Sequence, residues 1–252
     1  MIPSLAQRLA ERERPARRVW GFQRWDRLAF LHWAWDPAVI QRTLPPGLTV
    51  DTHAGEAFLG IVPFWMNRIR PAYLPPVPWL SYFLELNVRT YVVDAHGRAG
   101  VWFYSLDCNR ALPVWIARAA FHLPYEHARM SATVVGERVT YASQRRGDAQ
   151  VSRFVYAPAG AAAPAEPGSL AFFLAERYRL FARRRDGALL SGQVHHVPYP
   201  LAPATAETYD TRVLELAGFA APGRPPDHVH TSRGVSVEVF GLVSDRRRTT
   251  RT

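Results

Sequence analysis

Lysine is absent from this chain; all 31 of its basic residues are arginines. A Schiff base needs an amine that can shed its proton, and a guanidinium keeps its own, so chemistry through an internal lysine is excluded. Cysteine is nearly as scarce. Cys108 alone cannot form an internal disulfide, which suits a reducing compartment, and it sits at a strand end with no activating base in view. No apolar run is long enough to cross a bilayer, and "MIPSLAQRLAERERPARR" lacks the unbroken apolar stretch of a secretory leader. Also missing are the G-x-S-x-G, P-loop, G-x-G-x-x-G and H-E-x-x-H patterns and any nucleic-acid-binding motif. A cytoplasmic protein with no membrane partner, no specific nucleic acid and no cofactor is expected.

What is present suits one large core. The chain has 252 residues, 48% of them hydrophobic and 12% aromatic, enough for a globular domain. Its net charge of +10 is unevenly spread: residues 1–18 and 244–252 hold nine arginines against Glu11, Glu13 and Asp245. Solvated tails on a modestly basic body account for this more simply than a phosphate-binding surface. The expected organisation is a flexible basic tail (1–19), a single domain (20–243) and a second basic tail (244–252).

Strand signals dominate. Alternating or wholly apolar runs occur at 26–35, 56–69, 84–94, 98–108, 128–135, 138–145, 151–157, 189–197 and 235–243. "PAYLPPVPWL" (71–80) is too interrupted by proline for a sheet interior, and "APAGAAAPAEPG" (157–168) reads as a loop. Many short strands with turns between them predict a mainly β fold, a barrel or a sandwich, with few helices. Asp36-Pro37 starts a short helix running to Leu44, and another covers 113–122 with Arg118 in it. The clearest helical pattern is "SLAFFLAERYRLFARRR" (169–185), where Arg177 interrupts an apolar stripe. That arginine can reach water on a packed stem, or point into a polar cavity.

One stretch, "LELNVRTYVV" (84–93), puts Leu84, Leu86, Val88, Thr90 and Val92 on one side and Glu85, Asn87, Arg89 and Tyr91 on the other. The polar side can be a wet surface or a pocket wall. Ala95-His96-Gly97 forms a three-residue hairpin loop to the next run, "AGVWFYSLDC". In that register Asn87 faces Ser105, Arg89 faces Phe103, and Glu85 faces Asp107. Directly opposed carboxylates are unfavourable unless one keeps its proton or Arg89 neutralises them. Such a set can bind an anion and move a proton, or can be an exposed salt-bridged surface.

Together "ELNVRTYV", "GVWFYSLD", "ALPVWIARAAFHLPYEHARM" and "FLAERYRLFA" resemble the YqjF-like family of uncharacterised bacterial proteins, within the acetoacetate decarboxylase-like superfamily. The resemblance covers roughly residues 20–243. It implies a single closed, highly bent antiparallel β-barrel with a few peripheral helices and an interior cavity, into which the polar face of 84–93 would point. It also exposes a departure. Where acetoacetate decarboxylases carry a Gly-Arg-Glu segment, then a proline and the Schiff-base lysine, this chain has Ala117-Arg118-Ala119 and then Pro124-Tyr125. Arg118 is left as an anion-binding candidate, and Tyr125 either hydrogen-bonds a substrate oxygen or fills the space. His196, in a His-x-Pro-aromatic-Pro-Leu pattern like the family's, is a further candidate for the cavity.

His228 and His230 could begin a metal site but have no third ligand in view, so none is expected. The candidates are therefore Glu85 and Asp107 for proton transfer, with Asn87, Arg89, Tyr91, Ser105, Arg118, Tyr125 and His196 for a small anionic ligand. An enzyme of lyase, isomerase or hydrolase type and a non-catalytic sensor or carrier both fit, and self-association of the chain is left open.

Overall fold

In the computed structural model, residues 2–244 are described, apart from the side chains of residues 116–120. The chain runs through α1 (Leu5–Ala10), β1 (Val19–Trp35), α2 (Pro37–Gln41), β2 (Leu48–Val50), β3 (Ala57–Pro71), β4 (Phe83–Asp94) and β5 (Ala99–Cys108). There follow α3 (Ala111–Phe121), β6 (Tyr125–Val135), β7 (Arg138–Arg145), β8 (Ser152–Pro158) and α4 (Leu170–Ala175). β9 (Arg179–Arg183), β10 (Leu189–His195), β11 (Leu201–Thr208), α5 (Arg212–Leu216), β12 (His228–Phe240) and β13 (Val243–Ser244) complete it. The fold is mainly β. Asp36 caps α2 as its sequence signature predicts, its carboxylate accepting from the Ala38 amide at 2.8 Å.

Strand pairing follows a circuit: β4 with β5, β5 with β9, β9 with β10, β10 with β12, β12 with β1, β1 with β3 and β3 back to β4. It is not purely antiparallel as expected, because β5 runs parallel to both β6 and β9. β6, β7, β8 and β11 form a further run of paired strands between β5 and β12. Every residue of β4 is buried. Leu84, Leu86 and Val88 pack with Leu31, Trp33, Tyr141 and Phe154, so the second run covers that face. The opposite face of β4 looks into a cluster of Leu28, Phe30, Phe64, Leu106, Cys108 and Tyr125.

Three sequence expectations change here. The hairpin begins as read, with Gly97 at φ 75° and Arg89 opposite Phe103. The register then shifts between Val88 and Arg89, so that Val88 pairs with Ser105, Leu86 with Asp107 and Glu85 with Cys108. Tyr104 is the extra residue, and such a bulge moves every later side chain of its strand to the other face. Glu85 and Asp107 are consequently not opposed.

The helix expected over 169–185 stops at Ala175. Residues 179–183 instead form β9 between β5 and β10, where sheet pairing replaces helical hydrogen bonds. Gly100 permits that approach: a Cβ there would lie 2.7 Å from the Phe181 ring and 2.8 Å from the Arg179 carbonyl oxygen.

The segment expected as a flexible N-terminal tail carries α1 and reaches the body through Arg8–Asp51, Glu11–Arg179, Arg12–Glu176 and Arg14–Glu238 pairs. All but Ser244 of the basic tail expected at 244–252 lies outside the described residues.

Candidate functional site

Glu85 is 2% exposed and accepts a hydrogen bond from the Tyr125 hydroxyl at 2.7 Å. The topology makes this meeting: β6 starts at Tyr125 alongside Leu106 of β5, and Cys108 of β5 faces Glu85 across the hairpin. Burial pushes the Glu85 carboxyl up to about 8, against the pull of the Tyr125 hydrogen bond. The same burial, with the Glu85 charge beside it, holds the Tyr125 phenol well above its ordinary range. Tyr125, at the position where the resemblance leads one to expect lysine, is thus a hydrogen-bond donor to an interior acid.

Asn87, Arg89 and Tyr91 continue the same buried face. The Tyr91 hydroxyl donates to the Leu174 carbonyl at 2.6 Å, so the His32 Nε2 lying 2.6 Å from that oxygen must be the donor to it. Burial, then the charge of Arg89, push His32 well below its ordinary value, leaving a neutral ring whose Nδ1 lone pair has no partner. Arg89 Nη2 donates to the Leu174 carbonyl at 3.0 Å and to the Tyr91 hydroxyl at 3.3 Å, while its Nε is unpartnered. Asn87 Oδ1 is unpartnered as well. Buried polar atoms are nearly always hydrogen-bonded, so a donor and an acceptor left over two residues apart on one strand face call for an explanation. The spacing of strand residues puts Glu85 about 7 Å from Asn87 and about 13 Å from Arg89 along the backbone.

Arg177, ambiguous in sequence, is buried. It donates to Asp51 at 2.8 Å and to the Phe173 carbonyl at 2.7 Å, and its guanidinium lies 4.2 Å from the Phe173 ring centroid. Arg8 grips the same Asp51 through two hydrogen bonds of 2.6 and 2.7 Å. Burial alone would raise the Asp51 carboxyl, yet the two guanidiniums together hold it below its ordinary range. Next to Arg177, Glu176 accepts from the Tyr178 hydroxyl and from the Tyr199 amide. His32, Asp51 and Glu176 were not singled out in sequence. The available signal was a polar residue inside an apolar run, as His32 is in "LAFLHWAW".

The remaining candidates separate from this group. Asp107 and Ser105 lie on the other face of the sheet, toward β7. Asp107 accepts from Arg145 and Ser143, and Ser105 accepts from Arg145 at 2.8 Å. Burial raises the Asp107 carboxyl despite Arg145 beside it. Its geometry is that of a buried ion pair between layers, and the bulge at Tyr104 put it there. His196 is buried against Tyr178, Tyr199 and Trp25. The Arg118 side chain lies outside the described residues. Cys108 is buried, and desolvation pushes its thiol up to about 12, so it is no nucleophile at neutral pH. Among the described residues no group of three or more His, Cys, Asp or Glu is placed to hold a metal, and no helix is long and apolar enough to cross a membrane.

Comparison with known proteins gives this arrangement a context. A family model of uncharacterized conserved proteins, DUF2071, matches residues 22–236. The uncharacterized protein YqjF of Bacillus subtilis (strain 168) is 37% identical over 205 residues, covering 81% of this chain and 84% of that protein. Acetoacetate decarboxylase from Legionella pneumophila subsp. pneumophila str. Philadelphia 1 superposes with a TM-score of 0.61 at 13% identity, over 93% of this chain and 94% of its own. The enduracididine biosynthesis enzyme MppR, solved with pyruvate, gives a TM-score of 0.59 at 14% identity over 91% of each chain. At such identities the structural likeness establishes the fold alone. The chain belongs to the DUF2071 family of uncharacterized conserved proteins, and its fold is that of the acetoacetate decarboxylase-like structures.

Proposed function

We propose that this protein is a lysine-independent enzyme that moves a proton on a small oxo- or carboxylate compound, held in the interior of a closed, bent β-barrel. The circuit of strand pairings supports the barrel, and the buried Glu85–Tyr125 pair supports the chemistry. A carboxyl poised near 8 accepts and returns protons close to neutral pH, the range in which general acid–base catalysis is most effective. In the step proposed, the C–H bond next to a substrate carbonyl breaks and its proton passes to the Glu85 carboxylate. The electron pair moves to the carbonyl oxygen as an enolate, which the free Arg89 Nε–H and its charge stabilise. Tyr125 holds Glu85 in place, and Arg89 orients the substrate's anionic end. Asp107 has no part in the step, since it lies on the other face. MppR, of the same fold, has been solved with pyruvate, which makes a 2-oxo acid a natural first substrate to try.

The test is hydrogen–deuterium exchange at the methyl group of pyruvate in D₂O, followed by loss of its proton NMR signal. Exchange should rise with pH through about 8 as Glu85 ionises, and Glu85→Gln should slow it by at least about a hundredfold. Binding of pyruvate without exchange would leave a sensor or carrier using the same interior. Neither binding nor exchange would count against this substrate class altogether.

A further inference from the structure

Outside the interior, a cleft of about 730 Å³ opens between β1, β3, β12 and the segment after β10, with Arg24, Arg68, Arg70, His195, His196 and Glu238 in its wall. Its acids are already matched. Asp26 takes Arg24 at 2.7 Å and Asn67 at 2.8 Å, and Glu238 takes Arg14 at 2.6 Å. Among the described residues two arginines of this wall are left without a carboxylate. Arg70 lies over the Phe22 ring, 4.3 Å from its centroid, with one weak hydrogen bond to the Ala72 carbonyl at 3.4 Å. Arg68 is exposed, and its side chain makes no hydrogen bond or ion pair among the described residues.

Arg68 is also strained. Its φ is 52°, at the point where the β1–β3 register shifts from Phe22 opposite Arg70 to Arg24 opposite Asn67. A bulky residue in the left-handed region is an unfavourable choice where glycine would serve, and such strain clusters at binding sites. The bulge brings Arg68 and Arg70, two positions apart, to the same cleft.

His196 specifies the rest. Its Nδ1 lies 2.7 Å from the Val197 carbonyl oxygen, which can only accept, so Nδ1 carries the proton. Burial holds the ring neutral, pushing it down to about 4. Nε2 is therefore a bare lone pair, buried and without a partner. It calls for a donor, and an O–H on the ligand supplies one.

We propose that this cleft is a second binding site, for a small hydroxylated anion such as the phosphate monoester or the carboxylate of a polyol. The anionic group sits between Arg68 and Arg70, and a hydroxyl donates to His196 Nε2. The proposal stands apart from the interior chemistry, for which the Glu85→Gln protein serves as a control.

Isothermal titration of the full chain with glycerol 3-phosphate, glycerate and sulfate tests it. Glycerol 3-phosphate or glycerate should bind more tightly than sulfate, which has no O–H to donate at neutral pH, and which of the two wins names the anionic group. Arg68→Ala should weaken every probe about tenfold, and Glu85→Gln should change none. Arg68 is exposed, so its loss leaves folding intact. His196→Phe should weaken the hydroxylated probes alone. Should that variant fail to fold, the nitrogen-15 shift of His196 Nε2 in wild type replaces it, moving with glycerol 3-phosphate and not with sulfate. No binding by any probe, or binding indifferent to Arg68→Ala, overturns the site. An unmoved Nε2 signal overturns the role of His196.

Discussion

Replacing Glu85 by glutamine will stabilise the protein at pH 8 and leave its stability almost unchanged at pH 4. In the folded chain the Glu85 carboxyl keeps its proton up to about 8, against an ordinary 4.5. Between those values the folded state binds a proton that the unfolded state has released, so wild-type stability falls as pH rises. The slope is about 1.4 kcal/mol per pH unit. Glutamine has the shape of the protonated acid, keeps an oxygen to accept from Tyr125, and never ionises. The variant should therefore gain on the order of 4 kcal/mol over wild type by pH 8, or roughly 10 °C in melting temperature for a domain of this size. Thermal denaturation of both proteins from pH 4 to 9 checks it. Curves that stay parallel would mean that Glu85 titrates in the fold as it does in the open chain.

The second large effect has the opposite sign. Asp51→Ala should cost about 3–5 kcal/mol, because it strips Arg177 of its counter-charge. The side chains of Asp51 and Arg177 are 0% and 3% exposed, so the stranded guanidinium has little water to turn to. Arg8→Ala should cost much less: its side chain is 12% exposed, and Arg177 still neutralises Asp51. The Asp51 carboxyl is held below its ordinary value. Its contribution is thus complete above about pH 4, the ordinary carboxylate range, and is lost on acidification. Urea unfolding at pH 7 and pH 3 measures both points. A cost below about 1 kcal/mol for Asp51→Ala would place this pair with surface ion pairs.

These effects differ in how visible they were in sequence. Glu85, Asn87, Arg89 and Tyr91 were legible as one face because alternation is a local property of a strand, and the Ala95-His96-Gly97 loop located the hairpin. Its inner register was not legible. A single extra residue, Tyr104, has no periodic signature, yet it sent Ser105 and Asp107 to the far side of the sheet. The segment 169–185 misled for a related reason: Leu180 and Phe181 suit a helix stripe and a strand equally, and pairing with β5 and β10 decided between them. The Asp51–Arg177 contact joins residues 126 apart and had no local trace at all. Tyr125 was visible only as the residue standing where a lysine was expected, and its partner, Glu85, emerged from the fold.

Glu85 as a buried acid, protonated at neutral pH and held by Tyr125, is tested most directly by the carbon-13 chemical shift of its side-chain carboxyl, assigned by comparison with Glu85→Gln and followed from pH 4 to 10. A midpoint near 8, moving in Tyr125→Phe, is the predicted result. A midpoint near 4.5, unmoved by Tyr125→Phe, would contradict it.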